Sequence, residues 1–293
     1  MSLAPIVLFV YNRLEHTRQT VESLQKNELA NESELFIYSD APKDKVAALK
    51  VAEVRKYIKN INGFKRITII EREKNRGLAN SVIDGVTKIV NEYGKIIVLE
   101  DDLVTSPLFV RFMNEALEMY EDEKKVASIH GYIYPIDGLP ETYFIRGADC
   151  WGWATWKRAW NIFEADGQKL FNKLMEKKLH KEADFNDSYG FTQMLKDQIS
   201  GKNDSWAVRW YMSAFLNDML TLYVGKSLVK NIGLDGSGTH RDISNMLAVG
   251  LSNEINLKKV DIVENLQARK SMENYFKSMK VSLWARIKSK LKR

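Results

Sequence analysis

The sequence predicts an α/β protein with a mostly parallel, twisted sheet flanked by helices. Short apolar runs rich in β-branched residues alternate with longer amphipathic segments from residue 6 to residue 120. This alternation is typical of βαβ units with right-handed crossovers. Polar or charged residues also follow directly after several of the predicted strands. In an open α/β sheet the carboxyl ends of the strands form the edge where ligands bind. We therefore expect functional groups along one edge of the sheet.

The predicted elements are clearest in the first half of the chain. Strands are predicted at residues 6–11, 35–38, 67–70 and 96–99, and helices at 16–26, 45–61, 78–90 and 107–120. In the second half, strands are predicted at 126–129, 143–145 and 228–232, and helices within 161–200 and from residue 204. No internal repeat or low-complexity linker divides these elements, so we expect one compact unit.

Three carboxylates follow the fourth predicted strand without interruption. Glu100, Asp101 and Asp102 come directly after the apolar run at 96–99, and bare carboxylates are too costly to bury. They must therefore face solvent, a cation or a ligand. One or two carboxylates together with substrate phosphates are typical ligands of Mg²⁺ and Mn²⁺. A solvated acidic turn is the alternative.

Composition and charge exclude several classes of protein. The chain is 45% hydrophobic and 28% charged, as in an ordinary globular protein. Cys150 is the only cysteine, so no intrachain disulfide can form, which favours a cytoplasmic setting. The net charge of +6 is concentrated in residues 277–293, which contain seven Lys or Arg and no acid, so a nucleic-acid-binding surface is not expected. No GxGxxG or GxxxxGK[ST] motif occurs, which disfavours a dinucleotide fold and a P-loop.

The motifs at the strand ends resemble those of GT-A-fold glycosyltransferases. They are Tyr11-Asn12-Arg13, Asp40, Asn75-Arg76-Gly77 with Asn80, and Glu100-Asp101-Asp102. The last is similar to the DxD motif in the Glu-Asp-Asp form of N-acetylglucosaminyltransferase I. The Trp-Gly-Trp-Ala-Thr-Trp segment at 151–156 is similar to bacterial family-two-type transferases of surface polysaccharide synthesis. The resemblance extends over residues 4–245.

This resemblance implies a metal-dependent, inverting glycosyltransferase that uses a nucleotide diphosphate sugar, expected to be a UDP-sugar. Asp102 and His240 would hold the divalent metal, Mn²⁺ or Mg²⁺. The residues implied to bind the nucleotide sugar are Tyr11, Asn12, Arg13, Asp40, Asn75, Arg76, Asn80, Glu100 and Asp101.

Two features of the second half are assigned to the acceptor side. An inverting transfer needs a carboxylate that accepts the proton of the acceptor hydroxyl. Asp204 matches the family's base best, although it could instead cap the following helix; the other candidates are Asp184, Asp187 and Asp235. Trp151, Gly152 and Trp153 are expected to contact the acceptor or donor sugar, because aromatic faces stack on pyranose rings. A locally aromatic core is the alternative.

The resemblance also suggests how the chain is organised. We expect a single GT-A-like catalytic domain at 1–260, with a nucleotide-sugar-binding half at 1–105 and an acceptor half at 106–260. A basic amphipathic tail follows at 261–293. The tail could seat a cytoplasmic enzyme on an anionic membrane surface that carries a glycan or lipid-linked acceptor; a solvated helix or an oligomer contact are the alternatives. Rival functions are a nucleotidyltransferase that makes nucleotide sugars and a non-catalytic nucleotide-sugar-binding protein.

Overall fold

A computed structural model describes residues 2–234 and 246–290 of the protein, with side chains up to Lys280. The strands in these residues are β1 (Ile6–Val10), β2 (Glu34–Ser39), β3 (Arg66–Glu71), β4 (Lys95–Glu100), β5 (Leu103–Thr105), β6 (Val126–His130), β7 (Thr142–Arg146), β8 (Trp153–Trp156), β9 (Leu220–Val224) and β10 (Val229–Asn231). The helices are α1 (Leu14–Gln25), α2 (Lys45–Ile58), α3 (Gly77–Tyr93), α4 (Phe109–Met119), α5 (Lys157–Trp160), α6 (Gly167–Glu176), α7 (His180–Ala183), α8 (Phe191–Ile199), α9 (Trp206–Leu216) and α10 (Leu266–Lys290).

The main sheet has eight strands in the order β3-β2-β1-β4-β8-β6-β9-β7, and β5 pairs with β10 in a small second sheet. In the main sheet, β3, β2, β1 and β4 pair in parallel, as do β6 and β9. Because β8 is antiparallel to both β4 and β6, those two strands run in the same direction. Only β8 and β7 oppose the other six, so the predicted mostly parallel α/β sheet is confirmed.

The first half of the chain follows the predicted order of strands and helices, with ends that differ by a few residues. The second half differs more, because β8 and β9 were not predicted; the short strand β5 at the end of the first half was not predicted either. The short strand β8 lies between β4 and β6 and joins the two halves of the chain in one sheet. The two halves expected on either side of residue 105 therefore contribute strands to the same sheet.

The core covers both faces of the central strand β1. All five of its residues are buried, and successive side chains of a strand point to opposite faces. One face packs closely on α3, where a Cβ at Gly85 would lie 2.8 Å from the ring of Phe9. A buried aliphatic or aromatic side chain of this kind contributes about 1.5–3 kcal/mol relative to an exposed one. This packing fixes the strand ends that carry the candidate site.

The first part of α10 belongs to the core. Ala268, Met272, Phe276 and Met279 recur on one face of the helix and are buried. The expected domain ends at residue 260, but the segment that follows this boundary packs against the domain. In the part of the chain that the structure describes, no helix has the length and apolar character needed to cross a bilayer.

Candidate active site

The carboxyl ends of β1, β2 and β4 meet at one edge of the sheet. The strand register pairs Val10 with Ser39 and Phe9 with Glu100. The residues that follow these strands therefore lie side by side, as the sequence predicted for this edge. They include the turn at 11–13 and the acidic cluster, which we define as Glu100, Asp101 and Asp102.

Arg13 is the cation that faces the acidic cluster. Its Nη2 atom contacts Asp101 Oδ1 and lies 2.7 Å from Asp102 Oδ2. Burial alone would lower the pKa of Arg13, but the two carboxylates outweigh burial and raise it, so the guanidinium stays charged. In α1, which Arg13 precedes, Thr20 Oγ1 donates a hydrogen bond to the backbone oxygen of Asp101 at 2.9 Å.

The carboxylates of the cluster differ in how readily they ionise. Burial raises the pKa of Asp101, although Arg13 opposes this rise. Burial and the charges of Asp102 and Asp101 raise the pKa of Glu100 to about 8. The two aspartates that face Arg13 are therefore the better candidates for cation binding.

The two aspartates have the geometry of part of a divalent-cation site. The described residues contain no group of three or more His, Cys, Asp or Glu side chains that could hold a metal. Asp101 and Asp102 nevertheless converge on one nitrogen of Arg13, and Mg²⁺ is commonly held by one or two carboxylates plus substrate phosphates. This donor set fits a metal of that kind if the guanidinium moves aside. His240, the other predicted ligand, lies outside the described residues.

A backbone segment from the second half closes over the cluster. Ile232 N donates to the backbone oxygen of Asp102 at 2.9 Å. A Cβ at the next residue, Gly233, would lie 2.0 Å from Asp102 Oδ2 and 2.9 Å from Arg13 Nη1. Only glycine allows so close an approach of the backbone. The Gly-rich loop that begins here therefore starts against the acidic cluster, and its residues 235–245 lie outside the description.

Asp40 is held by hydrogen bonds at the start of α3. It is 7% exposed, and its carboxylate accepts hydrogen bonds from Arg76 N at 3.0 Å, Gly77 N at 2.9 Å and Asn75 Nδ2 at 3.1 Å. The carboxylate thus caps the N-terminus of α3 from a neighbouring strand, where negative charge is favoured. Asp40 thus positions the loop of Asn75, and its contact with a nucleotide stays a prediction.

The other predicted nucleotide contacts lie on the surface of this edge. Asn75, Arg76 and Asn80 are exposed, and the Arg76 guanidinium pairs with Asp84 at 2.9 Å. Asn80 Nδ2 donates to the backbone oxygen of Arg76 at 2.9 Å. These side chains are thus held by neighbours while remaining accessible to solvent.

Tyr11 and Asn12 connect β1 to Arg13. Both are partly exposed, and the Tyr11 hydroxyl accepts a hydrogen bond from Lys43 N at 3.1 Å. That bond joins the turn after β1 to the loop after β2. The turn at 11–13 is therefore held at one end by the loop after β2 and at the other end by the contact of Arg13 with the acidic cluster.

The three residues predicted to contact sugar do not share one environment. Trp153 is fully buried and stacks on Trp206 with ring centroids 5.5 Å apart, so it belongs to the aromatic core and has no face left for a sugar. Gly152 is buried with φ +67°, and a Cβ there would meet Val229 at 2.6 Å. Trp151 alone is partly exposed, with its ring 4.7 Å from that of Tyr132.

Asp204 is exposed at the start of α9. Its carboxylate is 64% exposed and lies 3.3 Å from Arg209 Nη2. The helix is capped by Ser205, whose Oγ accepts from Val208 N at 3.1 Å, so Asp204 does not serve as the cap. Trp206 in the first turn stacks on Trp153 at the beginning of β8. Trp153 pairs with Val98 of β4, two residues before Glu100. The start of α9 therefore lies toward the sheet edge that carries the acidic cluster.

The alternative bases differ from Asp204 in their contacts. Asp184 accepts a hydrogen bond from Thr192 N at 2.7 Å and so fixes the start of α8. Asp187 is exposed in a left-handed turn with φ +61°. Asp235 lies outside the described residues.

The sequence interpretation missed two residues at this edge. The first is Gly233, the first glycine of the Gly-rich run at residues 233–238. The second is Asp149, whose carboxylate is 23% exposed beside the buried His130. An acid two residues before Trp151, next to the expected sheet edge, was the available signal.

Comparison with known proteins agrees with this topology. The profile of "Glycosyl transferase family 2" matches residues 6–190, which is more than half of the chain. No curated protein sequence matches the chain significantly.

Solved structures that match the chain share little sequence with it. Mannosyltransferase PcManGT from Pyrobaculum calidifontis, in complex with GDP-Man and Mn²⁺, is 12% identical, with a TM-score of 0.33 over 45% of this chain and 36% of its own. S. aureus TarS 1–349 is 13% identical, with a TM-score of 0.40 over 77% of this chain and 59% of its own. This chain thus spans less than two thirds of either protein.

The family profile covers β1 to β4, the acidic cluster and β8. The predicted resemblance to GT-A-type transferases is therefore confirmed, while the particular likeness to N-acetylglucosaminyltransferase I remains a resemblance. The chain belongs to glycosyl transferase family 2, a family of glycosyltransferases.

Proposed function

We propose that the protein transfers a sugar, with inversion, from a nucleotide diphosphate sugar to a hydroxyl of a glycan or lipid-linked glycan. The expected donor is a UDP-sugar, and the expected setting is the synthesis of bacterial surface polysaccharide. The observation that carries the proposal is the meeting of the turn at 11–13, the loop at 75–80 and the acidic cluster at one sheet edge. This edge is where open α/β sheets bind ligands.

In this proposal the donor lies along that edge. Asn75 and Arg76 are exposed next to the buried Asp40, and they contact the nucleotide. Tyr11 and Asn12 line the other side. Arg13 lies at the acidic cluster, where its charge attracts the diphosphate. Asp40 contributes by fixing the N-terminus of α3.

Asp102, with Asp101 beside it, would hold the divalent cation, Mn²⁺ or Mg²⁺. When bound, such a cation stabilises the departing diphosphate as a Lewis acid. The contact between Asp102 and Gly233 supports this assignment, because it brings a loop of the acceptor half to the same carboxylate.

Asp204 is the proposed general base. The acceptor oxygen attacks the anomeric carbon while its proton passes to the Asp204 carboxylate. The bond between the anomeric carbon and the diphosphate oxygen breaks, and the nucleotide diphosphate leaves with the electron pair. The exposed carboxylate at the start of α9 supports this role.

We place the enzyme in the cytoplasm, on the inner face of the cell membrane. The sequence from Lys277 to the end of the chain carries seven basic residues and no acid. A positive helix of this kind is attracted to anionic lipids. That position would suit a lipid-linked acceptor.

A thermal-shift panel of UDP, GDP, ADP and their sugars, with and without Mn²⁺, tests the proposal. At least one nucleotide diphosphate should raise the melting temperature more when Mn²⁺ is present, because ligands that bind only the folded state stabilise it. If no nucleotide stabilises the protein in this way, the proposed function fails.

One observation favours a second candidate, a non-catalytic nucleotide-sugar-binding protein. Arg13 already neutralises Asp101 and Asp102, so the carboxylates are paired without a metal. Binding of a nucleotide sugar with neither transfer nor hydrolysis, in the presence of Mn²⁺, would favour this candidate. The other rival, a nucleotidyltransferase, is disfavoured by the family match.

A further inference from the structure

A second polar site lies at the same sheet edge, on the acceptor side of the acidic cluster. Its centre is Asp149, just before β8. Asp149 Oδ1 accepts a hydrogen bond from Cys150 N at 2.8 Å, and Oδ2 accepts one from the Tyr223 hydroxyl at 3.3 Å. The side chain is 23% exposed, so part of the carboxylate reaches solvent.

Asp149 has no cationic partner among the described residues. The nearest basic side chain is that of His130, with Nε2 3.9 Å from Asp149 Oδ1. Burial lowers the pKa of His130, and its Nε2 accepts a hydrogen bond from Trp151 N at 3.2 Å. An imidazole nitrogen that accepts carries no proton, so His130 is neutral. Two hydrogen bonds and partial exposure offset the burial of this carboxylate, which keeps its charge available to a ligand.

Tyrosine side chains surround this carboxylate. Burial, with the nearby charge of Asp149 adding to it, raises the pKa of each of these phenols, so all stay protonated. The four are Tyr132, Tyr134, Tyr189 and Tyr223. The Tyr132 hydroxyl donates to Leu247 O at 2.9 Å, and the Tyr223 hydroxyl donates to Asp149. The ring of Tyr132 also packs against the partly exposed Trp151 at 4.7 Å. The site thus combines one charged acceptor, the partly exposed Tyr189 and an accessible indole, on a base of buried tyrosines.

Strained backbone holds one of these tyrosines in place. Phe185, Asn186 and Asp187 are consecutive residues with positive φ, at +50°, +53° and +61°. L-residues rarely adopt this conformation, and such strain persists only where surrounding contacts impose it. Here Asn186 Nδ2 donates to Glu273 at 2.6 Å, and the turn closes with Tyr189 N donating to Asp184 O at 2.9 Å.

Cys150 connects this site to the donor side. The charges of Asp149, Glu100 and Asp102 all act on its partly buried thiol. Asp149 lies beside His130 at the end of β6 and Tyr223 in β9, and these strands run in the same direction as β4. The carboxylate of Asp149 is therefore at the same sheet edge as the acidic cluster, displaced toward β6 and β9.

We propose that Asp149 and the surrounding tyrosines form a subsite for a neutral hexopyranose of the acceptor. The carboxylate accepts hydrogen bonds from sugar hydroxyls, and Trp151 stacks on the C–H face of the ring. The assignment of this sugar to the acceptor rests on the proposed function. Asp149 is a binding residue here, and proton acceptance stays with Asp204.

The test is saturation-transfer NMR with methyl β-glucopyranoside, methyl β-galactopyranoside and methyl N-acetyl-β-glucosaminide, with and without UDP and Mn²⁺. Asp149→Asn keeps one of the two acceptor oxygens, which can still accept from Cys150 N, and removes the charge. It should weaken pyranoside binding by about 10- to 100-fold, as expected when hydrogen bonds to a charged group are lost. Asp137→Asn removes the same charge from an exposed loop and should leave binding unchanged.

The thermal shift with UDP and Mn²⁺ serves as a separate reading of folding and donor binding. Its retention in Asp149→Asn, together with weaker pyranoside binding, supports the subsite. Pyranoside binding that is equal in Asp149→Asn and the wild type overturns it, and so does a wild-type protein that binds none of the three pyranosides. If the wild type shows no UDP shift, the proposed function fails instead, while Asp149-dependent pyranoside binding would still establish the sugar site.

Discussion

Replacing Arg13 by Met should destabilise the protein because it leaves two largely buried carboxylates without their cation. The Arg13 side chain is 24% exposed, and those of Asp101 and Asp102 are 7% and 15% exposed. Removing one partner of a buried ion pair costs about 3–5 kcal/mol, and the partial exposure of Arg13 favours a loss of about 3 kcal/mol. At roughly 2–4 °C per kcal/mol, the melting temperature should fall by about 6–12 °C.

Arg18→Met is the matched control on the same helix. Arg18 is 44% exposed and pairs with the exposed Glu15 at 3.5 Å, so its loss should cost less than about 1 kcal/mol. Differential scanning fluorimetry at neutral pH measures both variants. Mn²⁺ should stabilise Arg13→Met more than the wild type, because the vacated carboxylates can then bind the ion. Equal melting temperatures for the two variants would refute the view that Arg13 compensates the acidic cluster.

Two further predictions concern the second half of the chain. Asp204→Asn should retain the UDP-dependent thermal shift and lose sugar transfer measured by mass spectrometry of the acceptor; full transfer by this variant would move the search for the base to Asp187 or Asp184. Burial lowers the pKa of His130 in the folded protein. Below about pH 6.5 the imidazole is therefore protonated in the unfolded chain but still neutral in the folded protein, and the free energy of unfolding decreases as the pH is lowered. Urea denaturation of wild type and His130→Gln should therefore show a smaller stability difference at about pH 5 than at about pH 7.5, whereas a constant difference would mean that the imidazole is not kept neutral.

The strand ends of the first half could be predicted because local sequence determines them. The run at 96–99 is apolar and β-branched, and the acids begin where it stops, so strand, edge and charge follow from one short segment. The partners of these side chains could not be predicted in the same way. The contact of Arg13 with Asp101 depends on how α1 is oriented, and the hydrogen bonds of Asp40 depend on the distance between β2 and the start of α3.

The tryptophan segment shows where a local interpretation was insufficient. Trp151 and Trp153 are two residues apart, yet one is partly exposed and the other is fully buried. The difference arises because Trp153 begins a strand that is inserted between β4 and β6 and covered by Trp206 of α9. Four residues are too few for a periodic pattern to distinguish such a strand from a loop. Asp149 was missed for the same reason, since its importance depends on tyrosines from distant parts of the chain.

The most direct test of the central claim is isothermal titration of UDP into the wild type, Asp102→Asn and Asp137→Asn, each with and without Mn²⁺. The wild type and Asp137→Asn should bind UDP more tightly when Mn²⁺ is present, because Asp102 would hold a cation that attracts the diphosphate. Asp102→Asn should lose this enhancement. An enhancement that persists in Asp102→Asn, or one that is missing from the wild type, would contradict the assignment of the acidic cluster to metal-assisted nucleotide binding.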